Sequence, residues 1–316
     1  MKSKVALVLS GGGARGLAHI GALKALERHG LLVDTIVGTS MGSFIGGFYA
    51  AGIGTTEMER IARQVDRSFV AKMVAPSISN FRFVDGERVR EYLRSSIGEL
   101  RIEDLKIPFA AIATDFVTGE EVPITKGPLV DAIQASIALP PLFRPVYYQD
   151  RWLIDGGFTN PLPVSAARQR GGDFIIAVNV ARNPTRYGTM NTPMESSDFW
   201  ISFGTVSAFR DRFRKPAQHP MDTDDPLSQP GCKSKLATGM NAAQQVPSIF
   251  RSVIQSISIM EHSLMTANLA AARPDILVTP PVDGADVLSF HRADELIRLG
   301  EESTLDALAA FSDAHE

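Results

Sequence analysis

The order of elements along these 316 residues predicts an α/β fold, a three-layer α/β/α sandwich around a mainly parallel central sheet. Two observations carry that expectation. Lys4 to Ser10 and Asp173 to Val180 are unbroken apolar runs of strand length, the signature of strands buried on both faces. Between the chain start and Ala51 the pattern runs strand, helix, strand, helix, which calls for parallel pairing with covering helices.

The elements follow in order. After the first strand, residues 11–16 form a glycine-rich loop. Leu17 to His29 has helical spacing through Leu17, Ile20, Leu23 and Leu26, and Gly30 supplies a stop. Asp34 to Val37 reads as a second strand, and Gly38 to Gly42 turns into a helix reaching Ala51. Glu57 to Val70 and Gly86 to Ile97 read as amphipathic helices. Pro108 to Asp115 and Glu121 to Thr125 read as strands, joined through Thr118-Gly119. Leu129 to Leu139 reads as a helix stopped by Pro140-Pro141. Val146 to Tyr148 and Trp152 to Ile154 are short strands, with Asp155-Gly156-Gly157 directly after the second. A helix follows at Val164 to Arg170. Later come a long helix at Ile249 to Ala272, a strand at Ile276 to Val278 and a last helix at Ala293 to about Phe311, inside a C-terminal helical stretch 291–316.

Composition narrows the function. At 44% hydrophobic and 21% charged residues the chain can fill a full core, and 1–316 reads as one domain. A net charge of −3 gives no reason to expect nucleic acid. The single cysteine, Cys232, excludes an internal disulfide. The apolar run after Lys4 is too short for a leader, and no run reaches the roughly 18 residues of a spanning helix. The expectation is a cytoplasmic protein whose membrane contact, if any, is peripheral. No His/Cys/Asp cluster has ligand spacing, so neither metal nor cofactor is expected.

Residues 182–245 differ, being rich in Pro, Asp, Ser, Thr and Gly. They read as a long loop or partly disordered insertion, a candidate lid or a membrane or dimer contact. Trp200, Phe203, Phe209 and Phe213 run into Arg210, Arg212, Arg214 and Lys215. That stretch fits a helix docking on anionic lipid, or one packed on its own domain or on a second copy in a homodimer.

Three features carry chemistry. Gly11-Gly12-Gly13-Ala14-Arg15-Gly16 opens the first helix, where backbone N–H groups favour negative charge. Its spacing also satisfies a dinucleotide fingerprint, but the second strand ends in Gly38-Thr39-Ser40 and lacks the ribose-binding acid there. Ser40 sits in Gly38-Thr39-Ser40-Met41-Gly42, a G-x-S-x-G on a strand-to-helix turn that projects its hydroxyl. Only one strand–helix unit precedes it, too few for an α/β-hydrolase, so His219, His262, His291 and His315 are not needed as a base, and His19 reads as structural. Asp155 ends an apolar strand and would stand at the sheet's rim.

These three motifs, in this order and spacing, resemble the patatin-like phospholipase family, in the version close to the neuropathy target esterase catalytic domain. The segment from Ala135 to Val146 is similar to the family's stretch before its aspartate. The resemblance covers residues 4 to about 181 and resumes near 248–280; the long stretch 182–245 departs from it. It implies a serine lipid acyl hydrolase acting on phospholipid or lysophospholipid. Ser40 would be the nucleophile and Asp155 the proton acceptor. Gly11, Gly12, Gly13 and Ala14 would form the oxyanion hole, with Arg15 and Gly16 bracing the loop. Gly38 and Gly42 would flank the serine, Gly156 and Gly157 the aspartate. A catalytically weak relative that binds lipid or an effector is the competing reading.

Overall fold

The structure is a computed structural model that describes residues 4–74, 86–140, 142–181 and 249–314. The 182–245 stretch, with Cys232, His219 and the aromatic–basic run 197–215, lies outside the described residues, as does His315.

The strands form one eight-stranded sheet: β1 (Val5–Leu9), β2 (Thr35–Thr39), β3 (Phe109–Asp115), β4 (Glu121–Ile124), β5 (Val146–Tyr148), β6 (Arg151–Asp155), β7 (Phe174–Val178) and β8 (Ile276–Val278). β3, β2, β1, β7 and β8 run parallel in that order. β4 and β6 both pair antiparallel with β3, and β5 with β6. The sheet is therefore mixed, with a parallel core.

Successive residues of β1 feed opposite layers. Leu7 and Leu9 join a core with α1 (Ala18–Arg28), α2 (Met41–Ala50), α5 (Glu87–Ile97), α6 (Leu129–Ser136) and α9 (Ala293–Asp313). Ala6 and Val8 join a second core with α7 (Val164–Gln169) and α8 (Ile249–Ala271). Burial on both faces explains the unbroken apolar run, and two helical layers around one sheet make the expected sandwich.

Four boundaries stand out against the sequence reading. The helix expected over Glu57 to Val70 is two, α3 (Thr55–Arg63) and α4 (Arg67–Val74). Asp66 breaks it: its carboxylate accepts the Phe69 N–H at 2.7 Å and caps the second helix. The helix expected to reach Leu139 ends at Ser136, and the Ala138 carbonyl instead accepts the Asp155 N–H at 3.0 Å. β2 runs on to Thr39, directly before Ser40, and Asp155 is the last residue of β6 rather than the one after it.

The register on β3 matters most for function. Ala111 and Ile112 each pair with β2 and with β4, so those strands flank opposite edges of β3. Ala113 and Thr114 each pair with β4 and with β6. β6 therefore shares the edge that β2 occupies, and the two strands run toward each other along it. Thr39 stops opposite Ile112 and Asp155 stops opposite Ala113, the next position. The aspartate reaches the rim from the opposite direction to that of a parallel strand.

α9 closes the sandwich against α1 through two glycines. A methyl on Gly300 would overlap the Ala18 carbonyl, and one on Gly21 the Ile297 carbonyl. Backbone is in the way, so the helices must separate to admit a side chain. Gly300→Val is expected to destabilise the fold by about 1–3 kcal/mol, read as a lower urea midpoint at unchanged slope. An unchanged midpoint would show that α9 can shift freely.

Candidate active site

Four segments meet where β1, β2 and β6 end. Ser40 lies between β2 and α2 with φ 53° and ψ −121°, a left-handed backbone that costs a non-glycine residue on the order of 1–3 kcal/mol. The surroundings enforce it. The Ser40 N–H donates to Ser136 Oγ at 2.9 Å, and Ser136 Oγ donates to the Ile112 carbonyl at 2.6 Å. Thr39 Oγ1 donates to the Asn160 carbonyl at 2.7 Å. The flanking glycines allow close approach: a methyl on Gly38 would meet the Gly42 backbone, and one on Gly42 the Leu9 carbonyl.

Ser40 Oγ donates a hydrogen bond to Asp155 Oδ2 at 2.6 Å, linking residues 115 positions apart. Asp155 is buried, its Oδ1 accepts the Gly157 N–H at 2.8 Å, and its carbonyl accepts Thr114 Oγ1 at 2.9 Å. Burial pushes its carboxyl up to about 6, against the hydrogen bonds from Ser40 and Gly157, which favour the ionised form. Gly156 packs against the Ile112 carbonyl.

Two amides of the glycine loop are tied to the scaffold. The Gly11 N–H donates to the Pro161 carbonyl at 3.0 Å and the Ala14 N–H to the Val287 carbonyl at 2.9 Å. Those two amides are committed to the scaffold, which corrects their expected place among the oxyanion donors. Gly12 and Gly13 line the cavity beside Ser40. Arg15 is only 2% exposed; its Nε donates to the Val180 carbonyl at 3.1 Å and its Nη1 to the Ala285 carbonyl at 3.4 Å. Gly16 packs under Met41. His19 Nε2 lies 2.9 Å from the Ser10 carbonyl, and burial lowers the ring to about 4, so it is neutral and donates this bond. None of these contacts brings His19 to Ser40.

Ser40 and Asp155 open into a cavity of about 220 Å³ on the α1–α2 side of the sheet. Met41, Phe44, Ile45 and Phe48 of α2 line it at one-turn intervals, so it follows that helix for about 10 Å. Its other walls are mostly Leu, Ile, Val and Phe. Glu261 of α8 also lines it. Sequence reasoning passed over Glu261, Ser136 and Asn160. For Glu261 a signal existed: it falls in step with Ile254, Ser258 and Met265, the buried stripe of its helix, where a carboxylate is out of place. Among the described residues no group of three His, Cys, Asp or Glu side chains could hold a metal. No described helix is long and apolar enough to cross a membrane.

The site thus brings together a serine hydrogen-bonded to a buried carboxylate, a glycine loop and an apolar cavity. The family model for patatin-like phospholipases matches residues 7–168, and the chain belongs to that family. An NTE family protein of Mycobacterium bovis is 31% identical over 98% of this chain and 92% of its own length. Lysophospholipase NTE1 of Candida albicans is 28% identical over 96% of this chain, which spans 20% of that protein. Among solved structures, VipD from Legionella pneumophila aligns over 98% of this chain and 67% of its own, with 12% identity and a TM-score of 0.47. Family membership supports lipid ester hydrolysis as the activity.

The Asp155 carboxyl holds its proton more tightly folded than unfolded, where its value is about 3.8. Its contribution to stability is therefore greatest below about pH 4 and is lost as pH rises through about 6. Asp155→Asn removes that cost. The variant is expected to be more stable than wild type at pH 8 by on the order of 2–3 kcal/mol, with the gap closing by pH 4. Thermal melts across this range check it; a variant that melts lower at pH 8 would contradict burial as the cause of the shift.

Proposed function

We propose that the protein is a serine lipid acyl hydrolase, a phospholipase A or lysophospholipase, working through a Ser40–Asp155 dyad. The observation that carries this is the 2.6 Å bond from Ser40 Oγ to a buried carboxylate whose Oδ1 is already occupied by Gly157. Oδ2 is left facing the serine as proton acceptor.

Ser40 Oγ attacks the ester carbonyl carbon as its proton passes to Asp155 Oδ2. The carbonyl electrons move onto oxygen, which the Gly12 and Gly13 N–H groups receive; one such donor is commonly worth about 3–4 kcal/mol to the transition state. The ester C–O bond then breaks, and protonated Asp155 gives its proton to the departing alkoxide. Acyl-Ser40 remains. Water attacks it as Asp155 takes a proton again, and that proton returns to Ser40 Oγ when the free acid leaves. A carboxylate at an ordinary value near 4 is a weak base for an alcohol. Burial strengthens it, and Oγ need never become a free alkoxide.

Arg15 acts as a brace and not as a phosphate ligand, since its guanidinium holds two carbonyls from β7's end and the stretch after β8. The apolar cavity takes the acyl chain. Burying each methylene there contributes up to about 0.8 kcal/mol.

Ser40→Ala and Asp155→Asn are expected to lose hydrolysis of a lysophospholipid and phospholipid panel while still folding, and a fluorophosphonate should label wild type but not Ser40→Ala. Folded wild type that neither hydrolyses nor labels would instead favour a lipid-binding relative without catalysis. For nitrophenyl esters, kcat/KM should climb several-fold from acetate to octanoate as the chain fills the cavity. A flat series would remove the cavity from substrate binding.

A further inference from the structure

The mechanism leaves one ionisable group of the cavity unused. Glu261 projects from α8 into the chamber that Ser40 and Asp155 line. Its position relative to Asp155 is set by Gly157: a methyl there would overlap Glu261 Oε1 and stand 3.2 Å from Asp155 Oδ1. The two carboxyls thus face each other across a residue that has no side chain. Oδ1 already accepts the Gly157 N–H, so Glu261 lies on the side of Asp155 away from the serine.

Among the described residues, the charges facing Glu261 come from two elements: Asp155 at the end of β6 and Arg15 in the 3-10 turn Gly13–Leu17. On its own helix the neighbouring ionisable residue is His262. Arg15 is engaged with the Val180 and Ala285 carbonyls, which places its charge near Glu261 while fixing it to the scaffold.

We propose that Glu261 pairs with Asp155 across Gly157 and, through its charge, sets how strong a proton acceptor Asp155 is for Ser40. This rests on the dyad reading above and adds a positioning residue to it. Enclosure raises the Glu261 carboxyl to about 7; the Asp155 charge adds to the rise and Arg15 opposes it. Below that pH Glu261 is neutral, and Asp155 is set by its burial against the hydrogen bonds from Ser40 and Gly157. Above it Glu261 is an anion, and like charge makes Asp155 hold a captured proton more tightly. A tighter hold on the proton is a stronger pull on the Ser40 hydroxyl. The pair titrates as a unit, and full activity needs both carboxyls ionised.

Glu261→Gln keeps the volume and removes the charge. Two opposite effects are expected together. The acid limb of kcat/KM for a nitrophenyl ester moves down by about one pH unit, because the Glu261 step near 7 is gone and only the Asp155 step near 6 remains. The plateau at pH 8 falls several-fold, because Asp155 is then the weaker base. Wild type is therefore the faster enzyme above pH 7, and its advantage shrinks or reverses near pH 5. Glu261→Asp, which retains the charge, should recover most of the pH 8 rate. A merely structural role lowers the rate by one factor at every pH and leaves the limb in place. That result would overturn the proposal, as would Glu261→Gln superimposing on wild type. The rate of fluorophosphonate labelling against pH gives the same readout without turnover. If wild type itself shows neither hydrolysis nor labelling, the dyad reading has failed; if both occur and depend on Ser40 while Glu261→Gln keeps the wild-type profile, only this inference has.

Discussion

Everything at the site depends on β3 being longer than the strand beside it. β2 stops opposite Ile112, and β3 continues to Asp115, leaving its edge bare. β6 fills that edge from the other end and stops opposite Ala113. Two chain ends pointing at each other along one rail place Ser40 and Asp155 side by side with little freedom between them. Were β3 to end level with β2, β6 would have no edge to pair with. The hydrogen-bond ladder of a sheet thus does the positioning that elsewhere falls to loops.

The supporting contacts follow from that junction. Ser136 spans from the Ile112 carbonyl to the Ser40 N–H, tying the serine's backbone to the rail. The Ala138 carbonyl takes the Asp155 N–H. Asn160 and Pro161, just past the aspartate's turn, hold Thr39 and Gly11 through their carbonyls. Each segment that brings a reacting group is bound to a segment that brings another. Such cross-bracing keeps a left-handed serine in place against its local cost.

The sequence made part of this legible. Ser40, the glycine loop and Asp155 stand in short motifs whose chemistry is local, and each sits at an end of a strand that its apolar run announces. The rest is decided by tertiary partners. Nothing local tells that Gly11 and Ala14 spend their amides on Pro161 and Val287, while Gly12 and Gly13 face the cavity. The direction of β6 depends on which edge of β3 is free. Asp66 splits a helix that periodicity alone carries through, because a capping carboxylate competes with helix continuation. Glu261 leaves a trace in the sequence, an acid on an apolar stripe, but no motif says what it does, because its meaning lies in facing Asp155.

The separation of Ser40 and Asp155 along the chain also has a consequence for how the proposed dyad is assembled during folding. β1 and β2 pair across a short stretch containing one helix, so the turn bearing Ser40 belongs to a local unit. Asp155 reaches it only after a contact spanning 115 positions has closed, and closures of that length are slow relative to local ones. A half-folded chain therefore carries its serine on the turn without the Asp155 carboxylate beside it. On the proposed mechanism the hydroxyl stays inert toward esters until the β3–β6 ladder zips, so reactivity waits for the sheet to be complete.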